Sequence, residues 1–228
     1  MEKQWARMVC FVLALGAACW SASAHRAVAI GGAYGGPSSA VQLTDVTLSQ
    51  VVYGYLPLER PQLWVALDVP EASLVRARLG VPAIDRLRTY RVQWALLGPD
   101  LPLSPLPVSI PSGLGATLIL SSGVDDASRL HEPVTDTNSW IVGEATLHLP
   151  TGGRYYLVAW SATGIDGKAW IAVGEREAFG WRDLMSLRTV IESVRTFHEA
   201  GPDPRFVAAA KALFLAGISI IIALLALW

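Results

Sequence analysis

Gln62-Leu63-Trp64-Val65-Ala66-Leu67-Asp68-Val69 puts Leu63, Val65, Leu67 and Val69 on one face with period two, the spacing of a β-strand with one side turned to a core. The stretch from Tyr90 to Leu97 repeats the pattern through Val92, Trp94 and Leu96. Similar runs follow at 116–120, 141–149, 154–161 and 168–173, the last three separated by Pro150-Thr151-Gly152-Gly153 and Gly164-Ile165-Asp166-Gly167. Such clusters form turns. Many short strands with little helix between them predict a mainly β chain, an antiparallel β-sandwich of jelly-roll-like type rather than a βαβ sheet.

Two stretches break the pattern. Between 70 and 87, Leu74, Val75, Ala77 and Arg78 fall at helix-compatible spacing, so a short helix or ordered loop is expected to cross the sandwich. From 99 to 111 the chain holds Pro99, Pro102, Pro105, Pro107 and Pro111; each removes a backbone donor and restricts its predecessor, which predicts an extended surface connection.

The two ends read differently from the middle. Residues 1–24 resemble a secretory signal: Lys3 and Arg7 precede an apolar stretch, and Ser21-Ala22-Ser23-Ala24 ends in an A-x-A site that would leave His25 at the mature N-terminus. A second A-x-A-like site at Val28 and Ala29 and a poor lipidation motif at Cys19 compete with it. Residues 25–40, rich in Gly, Ala and Ser, read as a flexible leader, since such a composition loses much entropy on ordering. The sandwich is expected over 41–178. An amphipathic helix is expected over 182–200, capped by Asp183, with Leu184, Leu187, Ile191 and Val194 on one face. Its mixed charges point to packing on protein rather than on a membrane interface, and Gly201-Pro202-Asp203-Pro204 ends it. Residues 206–228 are apolar apart from Lys211; at about 1.5 Å per residue the stretch from Val207 makes a helix roughly 33 Å long, enough to span a bilayer. Lys211 can lift its ammonium to the headgroups at one end, and Trp228 suits the interface at the other.

The only cysteines, Cys10 and Cys19, lie inside the predicted signal, so the exported domain has no disulfide and must rely on its core. Roughly 175 residues between His25 and Glu199 suffice to bury about two-thirds of their unfolded surface. A formal net charge of −1 without a Lys/Arg cluster gives no basis for nucleic-acid binding.

Four segments taken together resemble a known family: Tyr53-Gly54-Tyr55-Leu56, Gln62 to Pro70, Tyr90 to Pro99, and Leu149-Pro150-Thr151-Gly152-Gly153-Arg154-Tyr155-Tyr156-Leu157-Val158. Their order is similar to that of the bacterial pre-peptidase C-terminal domains, with Gly167 to Gly174 as the closing strand. The resemblance covers about 46–177 and implies a small exported β-sandwich that accompanies other activities and is not catalytic. The acidic residue usual in the family's middle strand is absent from Val92-Gln93-Trp94, which puts the family's calcium site in doubt here.

Candidate chemistry is sparse. An N-terminal His25 would offer its amine and Nδ1 to one copper ion, with His131 or His148 completing a brace, since amine and imidazole donors suit Cu(II). Equally, His25 is an incidental residue beside a cleavage site. Asp125, Asp126, Glu132 and Asp136 carry oxygen ligands suited to calcium, at a spacing that fits no EF-hand and also describes solvated loop charge. Trp64 and Trp94 belong to the core by their spacing, whereas Trp140 and Trp181 sit at element edges and are the candidates for stacking on a glycan or anchoring a protein partner. Lys168, Glu175, Arg176 and Glu177 read as a solvated strand end. No G-x-S-x-G or H-E-x-x-H occurs, so no enzyme is expected. The expectation is an exported, membrane-anchored, non-catalytic binding or accessory module with its sandwich on the extracytoplasmic side.

Overall fold

In the computed structural model, residues 25–178 and 180–208 are described. The expected signal segment at 1–24 and nearly all of the expected spanning helix at 206–228 lie outside the described residues. Among the described residues no helix is long and apolar enough to cross a membrane.

The chain forms β1 (Arg26–Gly32), β2 (Val41–Leu43), β3 (Gln50–Leu56), β4 (Gln62–Val69), β5 (Ser73–Pro82), β6 (Val92–Gly98), β7 (Gly115–Ile119), β8 (Ser128–Glu132), β9 (Thr137–Leu149), β10 (Gly153–Ser161), β11 (Gly167–Val173) and helix α1 (Trp181–Phe197). A six-stranded sheet runs in the order β1-β3-β11-β5-β9-β8, and a five-stranded sheet in the order β2-β4-β10-β6-β7. The mainly β expectation holds, but the sheets are mixed: β1 lies parallel to β3 and β2 parallel to β4, while the other strand pairs are antiparallel. Leu63, Val65 and Leu67 of β4, Trp94 of β6, Leu157 of β10 and Ile171 of β11 fill the space between the sheets, as their period-two spacing requires.

Each sheet is also covered on its outward face. Trp64, Ala95, Leu97, Val158 and Trp160 point away from the main core and pack against Leu106, Val108 and Ile110 of the proline-rich segment. That segment is therefore a strap across the five-stranded sheet. On the other side, Val51, Tyr53, Trp170 and Ala172 pack against Val194 and Phe197 of α1. Burial on both faces explains why β11 is buried along its whole length and reads as a nearly continuous apolar run.

The flexible leader expected at 25–40 is corrected: its first half is β1, hydrogen-bonded in register Arg26↔Gln50 and Ala27↔Val51. The entropy lost on ordering a Gly- and Ala-rich segment is offset here by the edge of β3, whose backbone groups supply hydrogen-bond partners. The helix or loop expected over 70–87 is also corrected, since β5 runs through it between β11 and β9. Val75, Ala77, Leu79 and Val81 go inward with period two, and Gly80 and Pro82 disfavour the helical alternative.

Helix α1 packs on protein as expected, with different caps. Gly180 is its N-cap, and Asp183, three residues in, accepts a hydrogen bond from the Gly180 amide at 2.8 Å. At the other end Glu199, with φ 56°, takes the left-handed position after the C-cap His198. The Ala200 and Glu199 amides then bond back to the carbonyls of Arg195 and Thr196, at 2.8 and 3.0 Å, a Schellman closure that needs no glycine at Gly201. The linker beyond is pinned: Arg195 donates to the carbonyls of Gly201 and Thr135, and Arg205 donates to Val134 O and to the fully buried Asp203 carboxylate. Helical backbone resumes at 204–208.

Candidate functional site

β1 and β8 close the six-stranded sheet at opposite edges, yet His25, just ahead of β1, and Glu132, the last residue of β8, line one groove together. The sheet therefore curls around α1, in the sense of its natural twist. The groove has a volume of about 390 Å³, within the range of small-ligand sites. One wall is the apolar face of α1, with Leu187, Val190, Ile191 and Val194; the opposite wall brings His25, Gln50, Tyr53 and Glu132 from separate segments. At its rim Arg26 pairs with Asp183 at 2.9 Å, tying β1 to α1.

The polar wall is poorly satisfied from within. Tyr53 is only 8% exposed, its ring packs edge-on against Phe197 and His198, and its hydroxyl has no hydrogen-bond partner among the described residues. The Glu132 carboxylate accepts one backbone N–H, from Val134 at 3.4 Å, and has no ion pair among the described residues. Burial pushes its pKa up. His25 holds Ser49 Oγ through Nδ1 at 2.5 Å; burial, then the Arg78 charge, hold its pKa below the usual histidine range.

Beside the groove lies a second polar cluster. Trp170 Nε1–H donates to Ser139 Oγ at 3.0 Å, and Ser139 Oγ lies 3.0 Å from His198 Nε2. His198 Nδ1 lies 2.8 Å from Val194 O. A carbonyl can only accept, so Nδ1 carries the proton and Nε2 accepts from the serine. The Trp170 indole lies over Gly80, where a Cβ would collide with it. Serine beside histidine is the start of a nucleophilic dyad, but here the third partner is a carbonyl rather than a carboxylate. The pair is also buried: Ser139 and His198 are 5% and 8% exposed, and the adjoining space is about 20 Å³, room for about one water. Burial, then the Lys168 charge, lower the His198 pKa to about 4, so at neutral pH the ring is an uncharged structural link. Lys168, read as part of a solvated strand end, is buried instead: its ammonium donates to Phe197 O at 2.7 Å and pairs with Glu199 at 2.9 Å. It also faces the rings of Tyr55 and Phe197.

The residues proposed for metals are not brought together. Among the described residues no three His, Cys, Asp or Glu side chains form a group that could hold a metal ion. His131 alternates with Leu130 and Glu132 on β8, and those two neighbours, not His131, share cavities with His25. His148 is on β9, whose run from Asn138, opposite His131, to His148 covers roughly 33 Å at about 3.3 Å per residue. For the calcium set, Asp125 and Asp126 sit in a 3-10 turn with Asp125 3.6 Å from Arg91. Glu132 turns into the groove, and Asp136, at φ 51°, lies between His131 and Arg195. Trp140 is half-buried against the main core, with the Arg88 guanidinium 6.0 Å from its ring centre. Trp181 opens α1, and its side chain lies outside the described residues. Sequence reasoning passed over Tyr53 and Ser139. The signal available was face sharing: Lys168, Trp170 and Ala172 alternate together, so a lysine in step with a covered tryptophan is itself a candidate for burial.

No family model matches the chain, and no curated protein matches it. Among solved structures, the pre-peptidase C-terminal domain of collagenase from Bacillus anthracis is similar to it at 14% identity, with a TM-score of 0.35 over 59% of this chain and 93% of that one.

Proposed function

We propose that the protein is a non-catalytic binding module, exported and held at the extracytoplasmic face of a membrane by residues 206–228. One observation carries the non-catalytic reading: Ser139 and His198 are 5% and 8% exposed beside a space of about 20 Å³, too small for a substrate, while the groove next to it holds about 390 Å³. A nucleophile that no substrate can reach does structural work, and an open concavity with apolar and polar walls is a place to bind. The anchoring reading is supported by the apolar run at 206–228, with Lys211 near its start, and by helical backbone already present at 204–208.

A fluorophosphonate probe applied to the purified full chain tests the first part, with no adduct at Ser139 expected. Labelling that Ser139→Ala abolishes would make the protein a hydrolase. For the second part, the chain should stay in the membrane pellet after carbonate extraction and be digested by protease added outside spheroplasts. Release into the carbonate supernatant would remove the anchor, and protection from protease would reverse the sidedness.

A further inference from the structure

We propose that the groove between α1 and the polar wall of the six-stranded sheet takes an organic cation, a primary ammonium head on an apolar body. The proposal rests on the binding-module reading and adds the ligand class. Its geometric basis is a concavity of about 390 Å³ into which a nine-tenths-buried phenol, Tyr53, brings an unpartnered hydroxyl. That hydroxyl borders the groove, where a ligand's polar head can bond to it.

The charge balance of the lining selects the class. Among the described residues, four lining side chains can carry charge: Arg26, Asp183, Glu132 and His25. Arg26 and Asp183 neutralise each other at 2.9 Å. His25 is held neutral by burial, which leaves Glu132, whose pKa burial raises, as the uncompensated charge among the described lining side chains. An anionic ligand would meet that carboxylate with no free cationic side chain among the described lining residues. A neutral ligand would leave it unpaired. An ammonium supplies the counter-charge and has three donors to distribute. Acceptors are at hand besides the carboxylate: the Gln50 amide spends its N–H on Asp45 O at 2.7 Å, and its carbonyl oxygen has no partner among the described residues. The Tyr53 oxygen can also accept. Beyond the head, Leu187, Val190, Ile191 and Val194 offer a body-length apolar wall.

The test is titration calorimetry on the full chain, as recovered from its own cell fraction, with 2-phenylethylamine and two near-isosteres, 2-phenylethanol and 3-phenylpropionate. A charge-assisted contact predicts that the amine binds at least about tenfold tighter than the alcohol and that the carboxylate binds weakest. Glu132→Gln should abolish the preference for the amine. Tyr53→Phe, which removes only a hydroxyl without an internal partner, should weaken the amine several-fold and leave the thermal midpoint in place, so loss of binding cannot be ascribed to misfolding. Equal binding of amine and alcohol, tighter binding of the carboxylate, no binding of the amine, or a preference surviving in Glu132→Gln would each overturn the proposal. An unlabelled Ser139 with any of those results removes the ligand class alone; a labelled Ser139 removes the binding-module reading itself.

Discussion

The proline strap and helix α1 perform the same geometric task, each burying the outward face of one sheet, with opposite chemistry. Under the strap, Trp64, Leu97, Val158 and Trp160 meet Leu106, Val108 and Ile110, and Trp64 stacks edge-on with Tyr156 at 5.7 Å. Under α1 the cover is polar as well as apolar. Among the described residues, the buried polar and charged side chains, Ser49, Gln50, Thr135, Thr137, Ser139, Lys168, Arg195, His198 and Asp203, belong to the six-stranded sheet, to α1 or to the turns beside them. A strap without backbone donors at its prolines can lie on an apolar face with little to satisfy. A helix ends in unsatisfied carbonyls, and here Lys168 occupies that end by donating to Phe197 O, while Arg195 of the last turn donates to Gly201 O in the linker beyond. The lesson is that pH sensitivity and ligand binding should both concentrate under the helix, while the strap side contributes stability insensitive to titration.

Four measurements put the difference between the two covers to the test. The largest effect is expected from Trp64→Ala, which should lose about 3–5 kcal/mol in denaturant titration by opening a cavity under the strap. The loss should be the same at pH 5 and pH 8; a loss that varied with pH would undo the distinction between the covers.

Next comes acid destabilisation of the unmodified protein. The fold holds His198 neutral, with its pKa lowered from 6.5 to about 4, so between those values the unfolded chain binds the additional proton. Stability is then complete above pH 6.5, falls as pH falls through the window, and levels off near pH 4, by about 3 kcal/mol in all. His25, also lowered, acts in the same direction, and Glu132, raised, opposes it. His198→Gln should therefore flatten most of the slope, and an unchanged slope would move the sensor elsewhere. Glu199, lowered to about 2 by its bonds from Arg86 and Lys168, acts in a separate window: its contribution is present above about 4.5 and lost as pH falls towards 2.

Ser139→Ala comes third. It strands the Trp170 N–H and the His198 Nε2 in a site with room for one water, and should lose about 1–3 kcal/mol; a neutral result would mean that water replaces the hydroxyl. The smallest change is expected from Pro105→Ala on the exposed side of the strap, about 0.4–1 kcal/mol through the freer unfolded chain, visible as a shift in midpoint at constant m-value.

Much of the fold was legible in the residues. The alternation of Leu63, Val65 and Leu67 and of Val92, Trp94 and Leu96 named β4 and β6, and the turn clusters before and after β10 bounded it correctly. β1 was not legible, because Ala27 and Ala29 among glycines alternate too weakly to outweigh composition, and the strand exists by pairing with β3. β5 was misread because Leu74, Val75, Ala77 and Arg78 satisfy the helical and the strand period over so short a span. Of the candidate site, His25 and Glu132 stand out in the sequence, for metals that the geometry does not assemble among the described residues, whereas Tyr53 gains its place only from the groove its hydroxyl borders.

What the sequence determined by itself is local: the positions of most strands, the breakers between them, and the amphipathic helix, because periods of 2 and 3.6 are imposed on each segment by its own backbone geometry. What only the tertiary structure decided is which second face each strand would bury and under what cover. Ser139 and His198 lie 59 positions apart in the chain and 3.0 Å apart in space. Such meetings depend on the curl of a whole sheet around one helix, a property that no single stretch of residues contains.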